Sequence, residues 1–263
     1  MASKRPTHDD GDPLDEIVRI ADQLRLTALT KEQIAKILDD AERDAVAYSH
    51  LALALLRLEA DIRKERRLNR NLKRSRLGTV RDRLDDFDFA ARPKLQARVV
   101  RELLHGRWVE EARNVICVGR PGLGKTRVIK ALGRAACELG LTVHYAITAE
   151  LLDDLQAALA DGSYKRVFRR YQRIDVLAID EFAYEPFDTR ATNHLFRLVS
   201  ARHGLAPTLI AANTGFSKWK NVFPSEAQAV ATVDRLIDNA TILHFSGKSF
   251  RKPKDGSLSD DED

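Results

Sequence analysis

The sequence predicts an α/β core built on a parallel five-stranded sheet, preceded by a small all-α N-terminal domain. From about residue 91, five short apolar runs alternate with helical stretches, which is typical of a parallel sheet covered by helices on both faces. Residues 14–84 instead keep a helical spacing of apolar side chains, with hardly any Gly or Pro. The Gly-rich stretch GRPGLGKT follows the first apolar run and fits a turn between a strand and a helix.

The chain is predicted to contain two domains between polar ends. Residues 1–13 and 254–263 are polar, and the second segment ends in an acidic run, so we expect both to be disordered tails. The helical N-terminal domain covers 14–84, and the α/β domain covers 85–253. Apolar spacing in the first domain predicts at least two helices, of which the second runs past residue 70.

The order of elements in the second domain follows from its apolar runs. Helices are expected to begin near Gly124, Ala149, Asp188 and Glu226, each after one of these runs. The predicted strands are 114–118, 142–147, 175–179, 208–212 and 241–245.

Composition narrows the class of protein. The 263 residues carry a net charge of +5, which favours an anionic partner without identifying it. The apolar stretches are far shorter than the roughly 18 residues that a membrane span needs, and the N-terminus lacks the apolar core of a signal peptide. Two cysteines are too few for a disulfide framework. We therefore expect a soluble protein of the cytoplasm that does not bind membranes.

The motif G-x-x-x-x-G-K-[ST] occupies residues 119–126, between a predicted strand and a predicted helix. Glycines in such a loop let successive backbone N–H groups approach phosphate oxygens at the positive end of a helix. Lys125 is expected to reach the β- and γ-phosphates of ATP, and the Thr126 hydroxyl is expected to bind Mg²⁺. The predicted nucleotide-binding residues are Gly119, Arg120, Pro121, Gly122, Leu123, Gly124, Lys125, Thr126 and Arg127.

An acidic pair and an asparagine end two further strands. Asp180, at the end of the run VLAID, is placed to hold Mg²⁺ through water, and Glu181 is a candidate to orient or deprotonate an attacking water. This pair favours hydrolysis over transfer of the phosphoryl group to a bound acceptor. Asn213 follows the run TLIAA at the edge where ligands bind in open α/β sheets, and as a catalytic residue it could hydrogen-bond the water or the γ-phosphate. An Asn in a turn is also common for local reasons.

A strongly basic stretch, RKERRLNRNLKRSR, ends the second predicted helix at residues 63–76. Its cations cover more than one helical face and repel one another, so we favour an anionic partner over a merely solvated surface. Such a cluster predicts salt-dependent binding to duplex DNA without base-specific recognition. The predicted DNA-binding residues are Arg63, Lys64, Arg66, Arg67, Arg70, Lys73, Arg74 and Arg76.

An ordered set of short motifs resembles the IstB-like ATP-binding proteins of IS21-type insertion sequences, which are relatives of the DnaC helicase loaders. A phosphate loop alone is shared by many proteins, whereas this ordered set is not. The motifs are FDF (87–89), RELL (101–104), the phosphate loop, TAELL (148–152), IDEFAYEP (179–186), HLFRLVSAR (194–202), Asn213 with FSKW (216–219), DRLI (234–237) and GKSFR (247–251).

The resemblance implies an AAA+ P-loop NTPase core and a Mg²⁺-dependent ATPase. Such proteins bind DNA in the ATP state, assemble into homo-oligomers, and recruit or stimulate a transposase of the IS21 type. The resemblance assigns Arg235 to the arginine-finger position, from which it reaches the γ-phosphate of a neighbouring subunit. A helix-surface arginine paired with Asp234 or Asp238 is the alternative. Arg251 fits either a sensor role or a DNA contact.

Three other functions stay open. A replicative helicase loader of the DnaC type shares the core motifs and differs in its protein partner. A small-molecule kinase would need an acceptor pocket and leaves the basic stretch unexplained. A nucleotide-gated scaffold without turnover leaves the Asp180-Glu181 pair unexplained. The resemblance favours a bacterial, nucleoid-associated transposition helper whose N-terminal domain binds DNA or mediates assembly.

Overall fold

The computed structural model describes residues 12–78 and 84–250, and the chain divides into two compact units, Met1–Asn69 and Arg70–Asp263. This division falls inside the longest helix, whereas the sequence changes character near residue 84. The domain bounds 14–84 and 85–253 therefore stay a prediction. Residues 1–11, 254–263 and Arg251 lie outside the described residues, while Asp12 and Pro13 already belong to the start of the first helix.

The first unit is helical, as the apolar spacing predicts. It contains α1 (Pro13–Gln23), α2 (Lys31–Arg43) and most of α3 (Tyr48–Ser75). The Thr30 side chain caps α2 by accepting a hydrogen bond from the Gln33 amide at 3.3 Å, which satisfies one of the free N–H groups at a helix start.

A small apolar core holds the helices of this unit together. Ala21 of α1, Leu29 of the connecting loop and Ile34 of α2 are buried and pack with leucines from α3. The buried Glu59 carboxylate of α3 accepts a hydrogen bond from the Ala28 amide at 2.8 Å. The loop between α1 and α2 is thus tied to α3 by both apolar packing and a buried polar contact.

The second unit contains the predicted parallel five-stranded sheet. Its strand order is β2-β3-β4-β1-β5, and every pairing is parallel. The first and fourth strands match the predicted ranges, and the other three shift at their ends. The strands are β1 (Asn114–Val118), β2 (Val143–Ile147), β3 (Val176–Phe182), β4 (Thr208–Ala212) and β5 (Ala240–His244).

Helices precede and connect these strands, and the four predicted helix starts are confirmed to within one residue. The connection between β2 and β3 holds two helices where the sequence suggested one, because Gly162 at a φ of 75° breaks the chain direction between them. The helices are α4 (Ala97–Leu103), α5 (Arg107–Glu110), α6 (Lys125–Glu138), α7 (Thr148–Ala160), α8 (Tyr164–Arg173), α9 (Thr189–Arg202), α10 (Phe216–Trp219), which continues as a 3-10 turn (Lys220–Val222), and α11 (Glu226–Ile237).

The central strands are buried on both faces. All five residues of β1 and all five of β4 are buried, as expected for a sheet covered on both sides. Asn114 at the start of β1 joins two neighbours: its amide donates to the Leu236 carbonyl at 2.9 Å, and its side-chain oxygen accepts from the Thr208 amide at 2.8 Å. Among the described helices, none is long and apolar enough to cross a membrane.

We predict that Asn114→Ala destabilises the second unit by about 2–4 kcal/mol, because two buried backbone groups lose their partners. Trp108 and Trp219, the two tryptophans of the chain, both lie buried in this unit, so fluorescence during urea unfolding reports its stability. Asn239→Ala is the control, since the exposed Asn239 side chain donates only to the Glu111 carbonyl. Equal losses in both variants would contradict a special role for Asn114.

Candidate nucleotide-binding site

A cleft of about 700 Å³ lies at the carboxyl edge of the sheet. Parallel strands end at the same edge, and the start of α6 adds backbone N–H groups there. The cleft brings together nine of the residues that the sequence predicts for nucleotide, metal and catalysis. They are Pro121, Gly122, Gly124, Lys125, Thr126, Arg127, Asp180, Glu181 and Asn213.

The remaining predicted residues of the loop support it from outside the cleft. Leu123 is buried and Arg120 is partly exposed. Gly119 lies so close to Phe245, the residue after β5, that an added Cβ would come within 2.4 Å of the Phe245 carbonyl oxygen. None of these three lines the cleft in the described part of the chain.

Two glycines set the shape of the loop. Gly122 and Gly124 have φ values of 79° and 94°, which L side chains rarely adopt. Gly124 precedes the first residue of α6, Lys125, and a Cβ on it would meet the Phe87 ring at 2.7 Å. Lys125 is buried, and its ammonium group donates to the Arg120 carbonyl at 2.7 Å. The loop therefore closes around the lysine.

Asp180 is held by three neighbours at the end of β3. Its carboxylate accepts a hydrogen bond from the Tyr145 hydroxyl at 2.8 Å and another from the Glu181 amide at 2.8 Å, while its carbonyl accepts from the Thr148 hydroxyl at 2.7 Å. Burial, together with the nearby Asp180 carboxylate, raises the pKa of Tyr145 well above its usual value. Tyr145 thus stays a neutral donor that fixes the orientation of the carboxylate.

Glu181 leaves the regular strand. The pairing of β3 with β4 shifts register between Ile179 and Phe182, and Glu181 has a φ of 53°. A bulge of this kind turns a side chain away from the alternating pattern of the strand. The exposed Glu181 side chain consequently lines the cleft beside the buried Asp180, an arrangement that the predicted end of the strand at residue 179 does not anticipate.

The cleft suits Mg²⁺ bound together with phosphates. Thr126 and Asp180 both line it. Each carboxylate oxygen of Asp180 accepts one hydrogen bond, from Tyr145 or from the Glu181 amide, and can still bind a metal or a water. Across residues 12–78 and 84–250, no group of three or more His, Cys, Asp or Glu could hold a metal by itself. Mg²⁺ in nucleotide sites typically takes one or two protein oxygens and completes its shell with water and phosphate.

Aromatic residues beside the phosphate loop also line the cleft and were not predicted as site residues. Phe87 and Phe250 line it, with their rings 6.0 Å apart in an edge-to-face arrangement. Arg127 forms an ion pair with Asp86 in the same wall. The motifs FDF and GKSFR were singled out only for the family resemblance. The sequence does not indicate that these two segments, from opposite ends of the α/β domain, meet at the phosphate loop.

Arg235 does not line the cleft. Its guanidinium lies 4.7 Å from the centre of the Phe196 ring and donates to the Ala231 carbonyl at 3.1 Å. Within residues 12–78 and 84–250, it forms no ion pair with Asp234 or Asp238, and Asp238 instead lies 3.1 Å from His203. The role of Arg235 as an arginine finger stays a prediction.

The basic stretch 63–76 contains cations of two kinds. Arg63 donates to the Glu59 carboxylate and to the Arg25 carbonyl, and Arg66 donates to the Thr27 hydroxyl. Arg76 lies 3.8 Å from Glu150. In the described part of the chain, the other five are exposed and form no ion pair: Lys64, Arg67, Arg70, Lys73 and Arg74.

A second basic surface, which the sequence prediction missed, lies on α8. One face of this helix packs Tyr164, Val167, Phe168 and Tyr171 against the core of the sheet. Arg170 on its side forms an ion pair with Asp154 at 3.0 Å. The opposite face carries Lys165, Arg166, Arg169 and Arg173. The sequence YKRVFRRYQR could have indicated this surface, because its aromatic and apolar residues recur at helical spacing.

The strand order, the phosphate loop after β1 and the acidic pair at the end of β3 define a P-loop protein with the AAA+ fold. Two solved structures share this fold at low sequence identity. The DnaC helicase loader matches with a TM-score of 0.55 and 18% identity over 63% of this chain and 97% of that one. DnaI matches with a TM-score of 0.53 and 16% identity over 62% of this chain and 90% of that one.

The chain belongs to the family of IstB-like ATP binding proteins, whose model matches residues 19–257. A protein named for ATP binding in insertion sequence IS21 of Pseudomonas aeruginosa is 32% identical, over 83% of this chain and 82% of its own length. A counterpart in insertion sequence IS5376 of Geobacillus stearothermophilus is 28% identical, over 84% and 87%.

We predict that Gly124→Ala weakens nucleotide binding by at least about tenfold, because the residue must keep a φ of 94° and its Cβ would strike the Phe87 ring. Titration with a fluorescent ATP analogue measures the effect. Gly215→Ala is the matched control, since nothing lies within 4 Å of its Cβ and its φ is −73°. Unchanged affinity in Gly124→Ala would show that the loop does not hold the nucleotide in this conformation.

Proposed function

We propose that this protein is an ATP-dependent, DNA-binding regulator of transposition. It assembles on target DNA in the ATP state, recruits or stimulates a transposase of the IS21 type, and disassembles when ATP is hydrolysed. The observation that carries this proposal is the single cleft in which Lys125, Asp180 and Glu181 meet, in a member of the IstB-like family. Relatives named for insertion sequences support the link to transposition.

Phosphate binding rests on the loop and the start of α6. Backbone N–H groups of the loop and the Lys125 ammonium neutralise the phosphate charge in a site partly shielded from water. Thr126 and Asp180 would hold Mg²⁺, which when bound withdraws negative charge from the β- and γ-phosphates. Tyr145 keeps the Asp180 carboxylate in one orientation through its 2.8 Å hydrogen bond.

Hydrolysis needs a positioned water, and two residues of the cleft are suited to hold it. Glu181 carries an exposed carboxylate beside Asp180, so it can accept a proton from water. Asn213 follows β4 at the same edge and can donate its side-chain amide to the water or to the γ-phosphate. We assign Glu181 as the general base and Asn213 as a sensor of the γ-phosphate.

Assembly would complete the site. Arg235 lies on α11, away from the cleft of its own chain, and stacks on Phe196. From that place it would act on the nucleotide of a neighbouring subunit, where it would stabilise charge on the transferred phosphoryl group. Hydrolysis in this scheme depends on homo-oligomer formation, which DNA promotes by concentrating the subunits.

DNA binding is assigned to exposed cations. Those of α3 and those of α8 can neutralise phosphates without reading bases, which suits a protein that must act at many sequences. Arg63 and Arg66 bind groups of their own unit, so we expect them to contribute less than Arg67 and Arg70. Compared with the sequence prediction, the proposed DNA surface gives less weight to Arg63 and Arg66 of α3 and adds the exposed cations of α8.

A replicative helicase loader is the alternative function. The core motifs of the sequence fit it as well, while the likeness to the DnaC helicase loader, at 18% identity, shows the fold alone. The two functions share the nucleotide site and differ in the protein that the ATP-bound assembly captures. Their separation therefore requires a direct test with both partners.

We predict that Glu181→Gln binds ATP with unchanged affinity, hydrolyses it about a hundredfold more slowly or worse, and stays on duplex DNA. Steady-state hydrolysis and DNA dissociation rates measure this. Glu185→Gln is the control, because this exposed glutamate lies outside the nucleotide cleft, in the loop that follows β3. The arrested complex should retain a purified IS21-type transposase and not a replicative helicase. The opposite selectivity would favour helicase loading, and normal hydrolysis would refute the general base.

Two variants, each with four cations replaced by Gln, should bind DNA more weakly and with a flatter salt dependence. One variant replaces Lys165, Arg166, Arg169 and Arg173 of α8, and the other replaces Arg67, Arg70, Lys73 and Arg74 of α3. The slope of log affinity against log salt concentration should fall by about 0.9 for each phosphate that the protein no longer neutralises. The control variant has the same change in charge at four arginines that each pair with a nearby carboxylate. It replaces Arg19, Arg43, Arg98 and Arg107 by Gln. Equal slopes in all three variants would mean that only net charge matters.

A further inference from the structure

Arg92 is a buried arginine that contacts the phosphate loop from behind. Its side chain is completely buried, and its Nε donates to the Leu123 carbonyl at 2.9 Å. Its Nη1 donates to the Lys248 carbonyl at 2.7 Å and to the Ala91 carbonyl at 2.6 Å. Three peptide carbonyls, from two distant parts of the chain and its own segment, thus converge on one guanidinium group.

This burial is energetically unfavourable for the cation. Burial lowers the pKa of Arg92, and Asp88 opposes that change only in part. Arg92 forms no ion pair in the described part of the chain, and its Nη2 is buried there without a hydrogen-bond partner. Replacement of buried charges by apolar residues of similar size is often neutral for stability or increases it. Its presence behind the loop therefore needs a reason other than stability.

The polarity of the loop backbone supplies that reason. A phosphate loop must point its N–H groups into the cleft, so its carbonyl groups face away and need donors on the other side. Two consecutive carbonyls show this arrangement: Gly122 accepts from the Phe250 amide at 2.9 Å, and Leu123 accepts from Arg92.

The same guanidinium also holds the wall of the cleft. It lies 3.7 Å from the centre of the Phe250 ring, and Phe250 lines the cleft. The approach is close because residue 247 is glycine: a Cβ there would come within 2.3 Å of the Ala91 carbonyl and 3.1 Å of Arg92 Nη1. Arg92 thus joins the loop and the segment 247–250 into one support.

We infer that Arg92 is a positioning residue of the nucleotide site, which fixes the outward carbonyl of the phosphate loop and docks Phe250 beside the bound nucleotide. This inference deepens the proposed function and rests on it. Nucleotide affinity then depends on a residue that precedes both β1 and the phosphate-loop motif and that belongs to neither.

The test compares Arg92→Ala and Arg92→Lys with Arg98→Ala, an exposed arginine of α4 whose side chain pairs with Glu102. Arg92→Ala should bind a fluorescent ATP analogue at least about tenfold more weakly, while turnover at saturating ATP changes much less. Lysine should restore part of the affinity, because an ammonium group can serve one carbonyl but cannot stack flat on Phe250. Arg98→Ala should match the parent protein.

A second pair of variants covers the case in which Arg92→Ala does not fold. Phe250 is about half exposed, so Phe250→Leu removes the ring with little risk to the core. Phe250→Leu should weaken binding of the ATP analogue. Its effect should not add to that of Arg92→Lys, since both variants disturb the contact between Arg92 and Phe250. Phe250→Trp places a fluorophore on Arg92, and its emission should change when the analogue binds, above the constant contribution of Trp108 and Trp219.

The outcomes separate this inference from the proposed function. If the parent protein binds the analogue, Lys125→Ala does not, and every Arg92 and Phe250 variant binds like the parent, the positioning role is wrong and the nucleotide site stands. If saturated turnover falls as much as affinity in Arg92→Ala, the residue acts on general stability and the inference is again overturned. If the parent protein itself fails to bind, the proposed function falls and takes this inference with it.

Discussion

Parallel pairing of β1 with both β4 and β5 is the constraint on which the site depends. Because β1 lies between these strands, the turn that follows it opens at the carboxyl edge beside Asn213. Pairing of β3 with β4 brings Asp180 to the same edge. Asn114 pins the opposite end of β1 to two neighbours through its side-chain amide. The strand pairing therefore fixes the position of the phosphate loop and brings residues of different chemistry next to it.

Features that depend on local backbone chemistry could be predicted from the sequence. The loop around Lys125 and the acidic pair at the end of β3 have fixed spacings, because a phosphate must meet consecutive N–H groups and a metal must meet a carboxylate at a strand end. The five strands followed from short apolar runs, which a parallel sheet buried on both faces requires. In each of these features, residues that are close in the sequence are also close in space.

Other features depend on contacts between distant segments and could not be predicted. Tyr145 orients Asp180 from the neighbouring strand, and Arg92 reaches the loop from a segment that precedes the sheet. The register shift at Glu181 also escapes a strand pattern, because the bulge is set by pairing with β4. Among the cations, the sequence makes Arg63, Arg66 and Arg67 look alike, whereas their hydrogen bonds separate two of them from the third.

The left-handed backbone at Glu181 has a consequence for how this protein balances stability against activity. A residue other than glycine at a φ of 53° costs about 1 kcal/mol of folding free energy. Glycine at this position would relieve that strain and would also remove the carboxylate from the cleft. Under the role proposed for Glu181, variants selected only for thermal resistance would therefore lose turnover at this position. The strand end gives up some folding stability and places an acidic group in the cleft.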